Sequence, residues 1–151
     1  MRNLKEKTKR LLLCVLFVAL CCNVFASKKI NYNKLITAIG TVESKMNNRA
    51  VNGTHVGFLQ ISPTTVKDCN RINKINDNPK RYSLQDRFNR KKSIEMFYII
   101  QNFYNKHGDL GEKGKIERMI RLWNGGPGWV KNPRKTDGYY KKVIKVYNNL
   151  G

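Results

Sequence analysis

Between residues 31 and 47, apolar side chains recur at Leu35, Ile39, Val42 and Met46. That 4-3-4 spacing lays one apolar stripe along a helix of 3.6 residues per turn. Asn31 or Asn33 is placed to cap its start, and Asn47-Asn48 suit its end. The pattern breaks over 49–61, where Asn52-Gly53 is a turn signal and Gly57 follows, so an irregular or hairpin segment is predicted. Ser62-Pro63 read as the cap and first residue of a second helix, which carries Val66 and Cys69. Residues 73–85 are polar, include Pro79 and read as a loop. The longest helix is predicted from Asp86 to about Lys106 through Ile94, Phe97, Tyr98, Gln101 and Tyr104, with Gly108 suited to its stop. Ile116, Met119, Ile120 and Trp123 predict a helix over 114–123, ended by Gly125-Gly126-Pro127-Gly128. Tyr140, Val143, Ile144 and Tyr147 predict the last, from about Asp137 to Asn149. About five helices and one insertion around one core make a mainly α, single-domain fold.

The N-terminus departs from this pattern. Arg2, Lys5, Lys7, Lys9 and Arg10 precede an unbroken apolar run from Leu11 to Cys22, and Asn23-Val24-Phe25-Ala26 then lead into polar sequence. A basic start, a short apolar core and small residues at the exit are the parts of a secretory signal. The run falls short of the ~20 residues that span a bilayer. Residues 1–26 are therefore expected to be a signal peptide and 27–151 the working domain, exported to the periplasm or cell envelope. A retained anchor, or lipidation at Cys21 or Cys22, stays open. Of four cysteines only Cys69 lies beyond the signal, so no intrachain disulfide is available and a lone buried thiol is expected.

The chain has 30 Lys and Arg against 10 Asp and Glu, a net charge of +20. Residues 1–26 hold five of the basic residues and one acidic, which leaves +16 on the domain itself. Such a surface seeks a polyanion: nucleic acid, an anionic membrane or an acidic wall polymer. Export removes nucleic acid from that choice. No His/Cys/Asp cluster has metal-ligand spacing, so neither metal nor cofactor is expected. His55 could border a cleft, and His107 beside Gly108 reads as a helix-end cation.

With nine carboxylates in residues 27–151, a candidate acid stands out. Glu43 sits at the edge of the first apolar stripe and close to that helix's C-terminus. Half-burial and the negative end of the helix dipole both disfavour its ionised form, the condition for a general acid near neutral pH.

Thr41-Val42-Glu43-Ser44, Gly57-Phe58-Leu59-Gln60-Ile61, Trp123-Asn124-Gly125-Gly126-Pro127-Gly128 and Tyr139 four residues before Val143 follow one another along the chain, and in these four segments it resembles the soluble (SLT, goose-lysozyme-like) lytic transglycosylases. Their Glu-Ser at a helix end stands here as Thr41-Val42-Glu43-Ser44. Gly57-Phe58-Leu59-Gln60-Ile61-Ser62-Pro63 is similar to their Gly-Leu-Met-Gln-Ile followed by a Pro-initiated helix. Leu122-Trp123-Asn124-Gly125-Gly126-Pro127-Gly128 occupies the place of Ala-Tyr-Asn-Ala-Gly-Pro-Gly, and Tyr139-Tyr140-Lys141-Lys142-Val143 that of Tyr-Val-x-x-Val. The matches come in order and cover about residues 32–147. Trp123 replaces a Tyr, and Lys135-Thr136-Asp137 stand where the family often has Glu-Thr-Arg, which puts a second carboxylate contact with substrate in doubt unless Asp137 supplies it.

The resemblance implies a lysozyme-like fold with a short irregular or β insertion after the first helix. It also implies cleavage of the β-1,4 bond between N-acetylmuramic acid and N-acetylglucosamine in peptidoglycan, with a 1,6-anhydro product. Glu43 is the implied single acid and base, and Ser44, Gln60, Asn124 and Tyr139 are the implied substrate-binding or orienting residues. Tyr140 fills the place of Tyr139 if the helix starts one residue later. Phe58 and Trp129 fit either a sugar-binding cleft or the core. The implied partner is the glycan strand, met by a monomer. Envelope-spanning secretion or conjugation machinery is a further candidate partner, since the sequence leaves the purpose of the cut open. Two other readings stand beside this one: a muramidase using Asp137, Asp86 or Asp77 as base, and a non-catalytic wall-binding protein on the same scaffold.

Overall fold

The structure, a computed structural model, describes residues 30–105 and 112–151. The expected signal peptide lies outside the described residues, as do His107 and Gly108. Helix α1 (Tyr32–Ser44) is capped by Asn31, whose side-chain oxygen accepts the Lys34 amide at 3.0 Å. It ends before the predicted Asn47-Asn48 stop. Lys45 and Met46 take left-handed φ angles of 54° and 66°, and their amides turn back to the Thr41 and Gly40 carbonyls. A non-glycine residue pays about 1–2 kcal/mol for that conformation. The two returned hydrogen bonds offset part of this cost, and Glu43 is left in the last turn.

The insertion is a two-stranded antiparallel hairpin, β1 (Val51–Asn52) and β2 (His55–Val56), with Val51 opposite Val56. Helix α2 (Pro63–Ile75) starts as predicted, the Ser62 hydroxyl accepting the Thr65 amide at 3.1 Å. It runs into the expected loop. A 3-10 turn at Leu84–Phe88 follows, and α3 (Arg90–Tyr104) begins later than predicted. Asp86 does not open this helix. Its carboxylate accepts the Ser83 amide at 2.8 Å and pairs with Lys92 at 2.6 Å, while Asn89 caps α3 through the Lys92 amide. Helix α4 (Glu112–Gly125), 3-10 turns at Pro127–Lys131 and Pro133–Thr136, and α5 (Asp137–Asn149) complete the fold.

Helix α1 packs on α5, α4 on α5 and α3, and α2 on α3. Leu35 and Ile39, Phe58 and Leu59, Met96 and Phe97, Ile120 and Val143 are almost completely buried where these elements meet. Phe58 therefore belongs to the core, with Arg90 stacked 4.6 Å over its ring. Cys69 is also buried, and burial pushes its thiol up to about 12. Among the described residues no helix is long and apolar enough to cross a membrane. The result is the mainly α single domain expected, with its β insertion after the first helix.

One buried cation ties the insertion to the body. Arg87 donates through Nη1 to the Thr54 and Ile61 carbonyls, at 2.9 and 3.1 Å, and through Nε to Leu84. Its own carbonyl lies against Gly57, which has φ +77° and where a Cβ would sit 2.0 Å from that oxygen. No side chain fits there.

Candidate active site

Glu43 lies half-buried at the end of α1. Tyr139, in the first turn of α5, donates its hydroxyl to Glu43 Oε1 at 2.7 Å. The packing of α5 against α1 brings these residues together from positions 96 apart. Burial pushes the Glu43 carboxyl above its ordinary range, and the Tyr139 hydrogen bond draws it part of the way back. Burial and the adjacent carboxylate push the Tyr139 phenol well above its usual value, so it remains a donor. Tyr140, one residue on and about 100° around the helix, turns elsewhere: its ring lies 4.8 Å from the Arg121 guanidinium. Helix phase thus assigns the Glu43 contact to Tyr139.

Glu43 opens onto a cleft of about 830 Å³. Gln60 enters from the end of the insertion, and Trp123, Asn124 and Gly125-Gly126-Pro127 from the end of α4. Gln60 has φ 49° and donates Nε2 to the Gly57 carbonyl at 2.8 Å. That bond fixes the amide and leaves its oxygen as an acceptor. Asn124 is exposed at the mouth. The Trp123 indole donates to the Leu59 carbonyl at 3.3 Å, and its ring stacks on Phe97 with centroids 5.0 Å apart. The tryptophan thereby fastens α4 to the insertion. His55 lines the same cleft from β2.

Ser44 is not part of the lining. Its hydroxyl donates to the Phe58 carbonyl at 2.9 Å and accepts the Asn47 amide at 3.1 Å, which joins the end of α1 to the insertion. Its place is behind Glu43, holding the two motifs that flank the cleft in register. Trp129 packs over Arg121, 5.8 Å from ring centroid to guanidinium, beside Gly125. A Cβ at Gly125 would stand 2.8 Å from both Trp129 Cβ and Thr136 Cγ2, so the close approach of both 3-10 turns needs glycine there.

Arg121 is the functional-region residue that pattern reading overlooks. Its side chain is only 9% exposed, yet its guanidinium bonds Glu117 Oε1 at 2.8 Å, Thr136 Oγ1 at 2.8 Å, Asp137 Oδ1 at 2.7 Å and the Pro133 carbonyl at 3.0 Å. Through these contacts α4 holds the segment that leads into Tyr139. A Glu117–Arg121 spacing of four on one helix was the available signal, but only the returning 133–137 segment makes this arginine buried.

Two of the carboxylates that could serve as a base are committed to cations. Asp137 is held by Arg121 and Asp86 by Lys92. Besides Glu43, one carboxylate lines the cleft among the described residues, Asp68, and it is bound by Arg71 and Tyr104. Among the described residues no group of three or more His, Cys, Asp or Glu side chains is placed to hold a metal ion. A half-buried carboxyl with a raised pKa, a fixed phenol donor and neutral amides across a cleft can deliver a proton to a polyhydroxylated substrate and take one back.

The family model for the transglycosylase SLT domain matches residues 21–146. No curated protein matches the chain. The family match supports a peptidoglycan-acting function of the lytic transglycosylase type. By that match, over most of its length, the chain belongs to the transglycosylase SLT domain family.

Proposed function

We propose that this protein is a peptidoglycan lytic transglycosylase with Glu43 as its single general acid and base. The observation that carries the reading is the Glu43–Tyr139 pair, set on a cleft whose other carboxylate among the described residues, Asp68, is already bound. Glycosidases with two carboxylates place them about 5–5.5 Å apart for retention or roughly 6.5–9.5 Å for inversion; here one carboxylate serves both steps. The protonated Glu43 gives its proton to the glycosidic oxygen between N-acetylmuramic acid and N-acetylglucosamine as the C1–O bond breaks. The acetamido group of the muramic ring supports the positive charge at C1. Glu43, now ionised, takes the proton of the C6 hydroxyl as that oxygen closes onto C1. The products are a free N-acetylglucosamine end and a 1,6-anhydro-muramic end, with no water consumed. Gln60 and Asn124 hold sugar hydroxyls and acetamido groups, and Tyr139 keeps the carboxyl aimed. The protein acts after export, in the periplasm or envelope, once residues 1–26 are removed.

Digested peptidoglycan should contain muramic ends one water lighter than reducing ends, as read by mass spectrometry. Reducing ends in their place would mean that water attacks and that the protein is a muramidase. The ion pairs of Asp137 and Asp86 weigh against that second reading, since a base tied to a cation is a poor acceptor for a water proton.

Tyr139→Phe tests the positioning of the acid. The phenol stabilises the ionised carboxylate, so its loss leaves burial unopposed and raises the Glu43 pKa further. The alkaline limb of the kcat/KM profile should move to higher pH, while kcat falls by about 10–100-fold as the carboxyl loses its anchor. A lower rate with an unmoved limb would give Tyr139 a purely structural part.

A further inference from the structure

Resting on the reading above, we infer that the α2 wall of the cleft binds the carboxylates of the peptide stem carried by the glycan strand. The cleft does not end at the sugar-facing residues. It continues along α2, where Thr64, Lys67, Asp68 and Arg71 all line it, with Tyr104 of α3 beside them. Lys67 and Arg71 are four residues apart and so share one helix face. At 1.5 Å rise per residue, Arg71 lies about 14 Å along the helix from Ser62, the end at which the Gln60 motif meets α2.

Arg71 is built into the wall. Its Nε donates to Asp68 Oδ1 at 2.8 Å and its Nη2 to the Tyr104 hydroxyl at 2.8 Å, while Tyr104 donates to Asp68 Oδ2 at 2.8 Å. The guanidinium also stacks 5.2 Å from the Phe103 ring centroid. These contacts fix its plane and neutralise Asp68. They leave Nη1 without a partner among the described residues, and the Lys67 ammonium likewise has none there. The wall therefore keeps a net positive charge and unused donors, one of them on a guanidinium already held in place.

The N-acetylated sugars of the glycan offer no anion along this distance, whereas the peptide stem does. It leaves the muramic ring through the lactyl ether and ends in carboxylates. An extended peptide advances about 3.3–3.6 Å per residue, so a stem of four residues spans about the distance from the sugar-facing end of the cleft to Arg71. A charged donor fixed before the ligand arrives favours carboxylate binding at lower entropic cost than a free lysine. A free anionic wall polymer would find the same cations, but it has no reason to lie in the cleft that holds the scissile bond.

The test uses the full-length exported protein, or its Lys67→Gln and Arg71→Gln variants, on three glycan preparations: strands with peptide stems, the same strands stripped of stems, and strands whose stem carboxylates are amidated. Wild type should cut stem-bearing strands about tenfold faster in kcat/KM than the other two. Each substitution should cost about 3–10-fold on stem-bearing strands and several-fold less on stripped or amidated ones, chiefly through KM. Equal losses on all three would make this wall a sugar subsite and overturn the inference. No loss on any would make the cations merely solvated. Weaker sacculus binding that follows the wall-polymer phosphate content and ignores the stems would assign the cations to that polymer. Titration of a free stem tetrapeptide, followed by NMR shifts at α2, separates the two proposals. If wild type cuts no strand, the transglycosylase reading fails, and loss of tetrapeptide binding in the variants still supports the α2 site. Absence of binding by wild type overturns it.

Discussion

Glu43→Gln lowers the rate of peptidoglycan cleavage by about 10³–10⁴-fold if a single carboxyl performs both proton transfers. Glutamine keeps the size of the side chain and an oxygen that can accept the Tyr139 hydroxyl, but it has no acidic proton to give and cannot take one back. Turnover of purified sacculi, followed by release of soluble fragments, reads the loss. Retention of full activity would remove Glu43 from the mechanism. The fold should survive, and the pH dependence of stability gives an independent sign. Burial holds the Glu43 carboxyl above its ordinary 4.5 in the folded chain, so the folded state binds this proton more tightly than the unfolded state does. The stability linked to that proton is complete below the unfolded value and is lost as pH rises through the folded one. Glutamine does not titrate. Thermal melts at pH 4 and pH 7 should therefore show the variant gaining on wild type toward neutrality, and a gap that widens in the opposite direction would contradict the buried, protonatable carboxyl.

Gly57→Ala should be the most damaging small substitution outside the carboxyl itself, at about 3 kcal/mol or more of unfolding free energy. Two costs combine. The residue has φ +77°, which L side chains rarely adopt, and the new Cβ would stand 2.0 Å from the Arg87 carbonyl oxygen, a backbone atom with no rotamer to escape into. Relief requires the insertion and the 84–88 turn to part. That movement would stretch the Arg87 bonds to Thr54 and Ile61 and displace the carbonyl that holds Gln60. Urea unfolding with an unchanged m-value measures the loss, and binding of glycan fragments should weaken with it because Gln60 moves. A cost under about 1 kcal/mol would mean that the contact relaxes without strain.

Local features of the chain were legible where their causes are local. The stripe through Leu35, Ile39 and Val42 and the caps at Asn31 and Ser62 all act within one or two turns, and each stands in the structure where spacing places it. Helix boundaries shift from the sequence expectation where two local signals compete. Asp86 looked like a helix start, but it satisfies the Ser83 amide and the Lys92 ammonium while Asn89, three residues on, supplies the cap. Likewise Asn47-Asn48 are good stops that the chain never reaches in helical form, because Lys45 and Met46 already turn back onto α1.

The candidate site divides along the same line. Glu43 was visible from its place on the edge of a stripe near a helix end, and the order of the four motifs pointed to its neighbours. Which of Tyr139 and Tyr140 meets it, and whether Phe58 lines the cleft or fills the core, depends on how helices pack. Arg121 shows the limit most clearly, since nothing near it in sequence makes a charged residue on an amphipathic helix into a buried clamp. Periodicity, capping and composition are properties of neighbouring residues, and they were enough to place the helices, a candidate acid at Glu43 and the excess of positive charge. Helix packing sets Tyr139 against Glu43, ties Asp137 to Arg121 and puts Lys67 and Arg71 on the same cleft. Those pairings join residues far apart in the chain, and the packing of α1 on α5, α4 on α5 and α2 on α3 sets their distances.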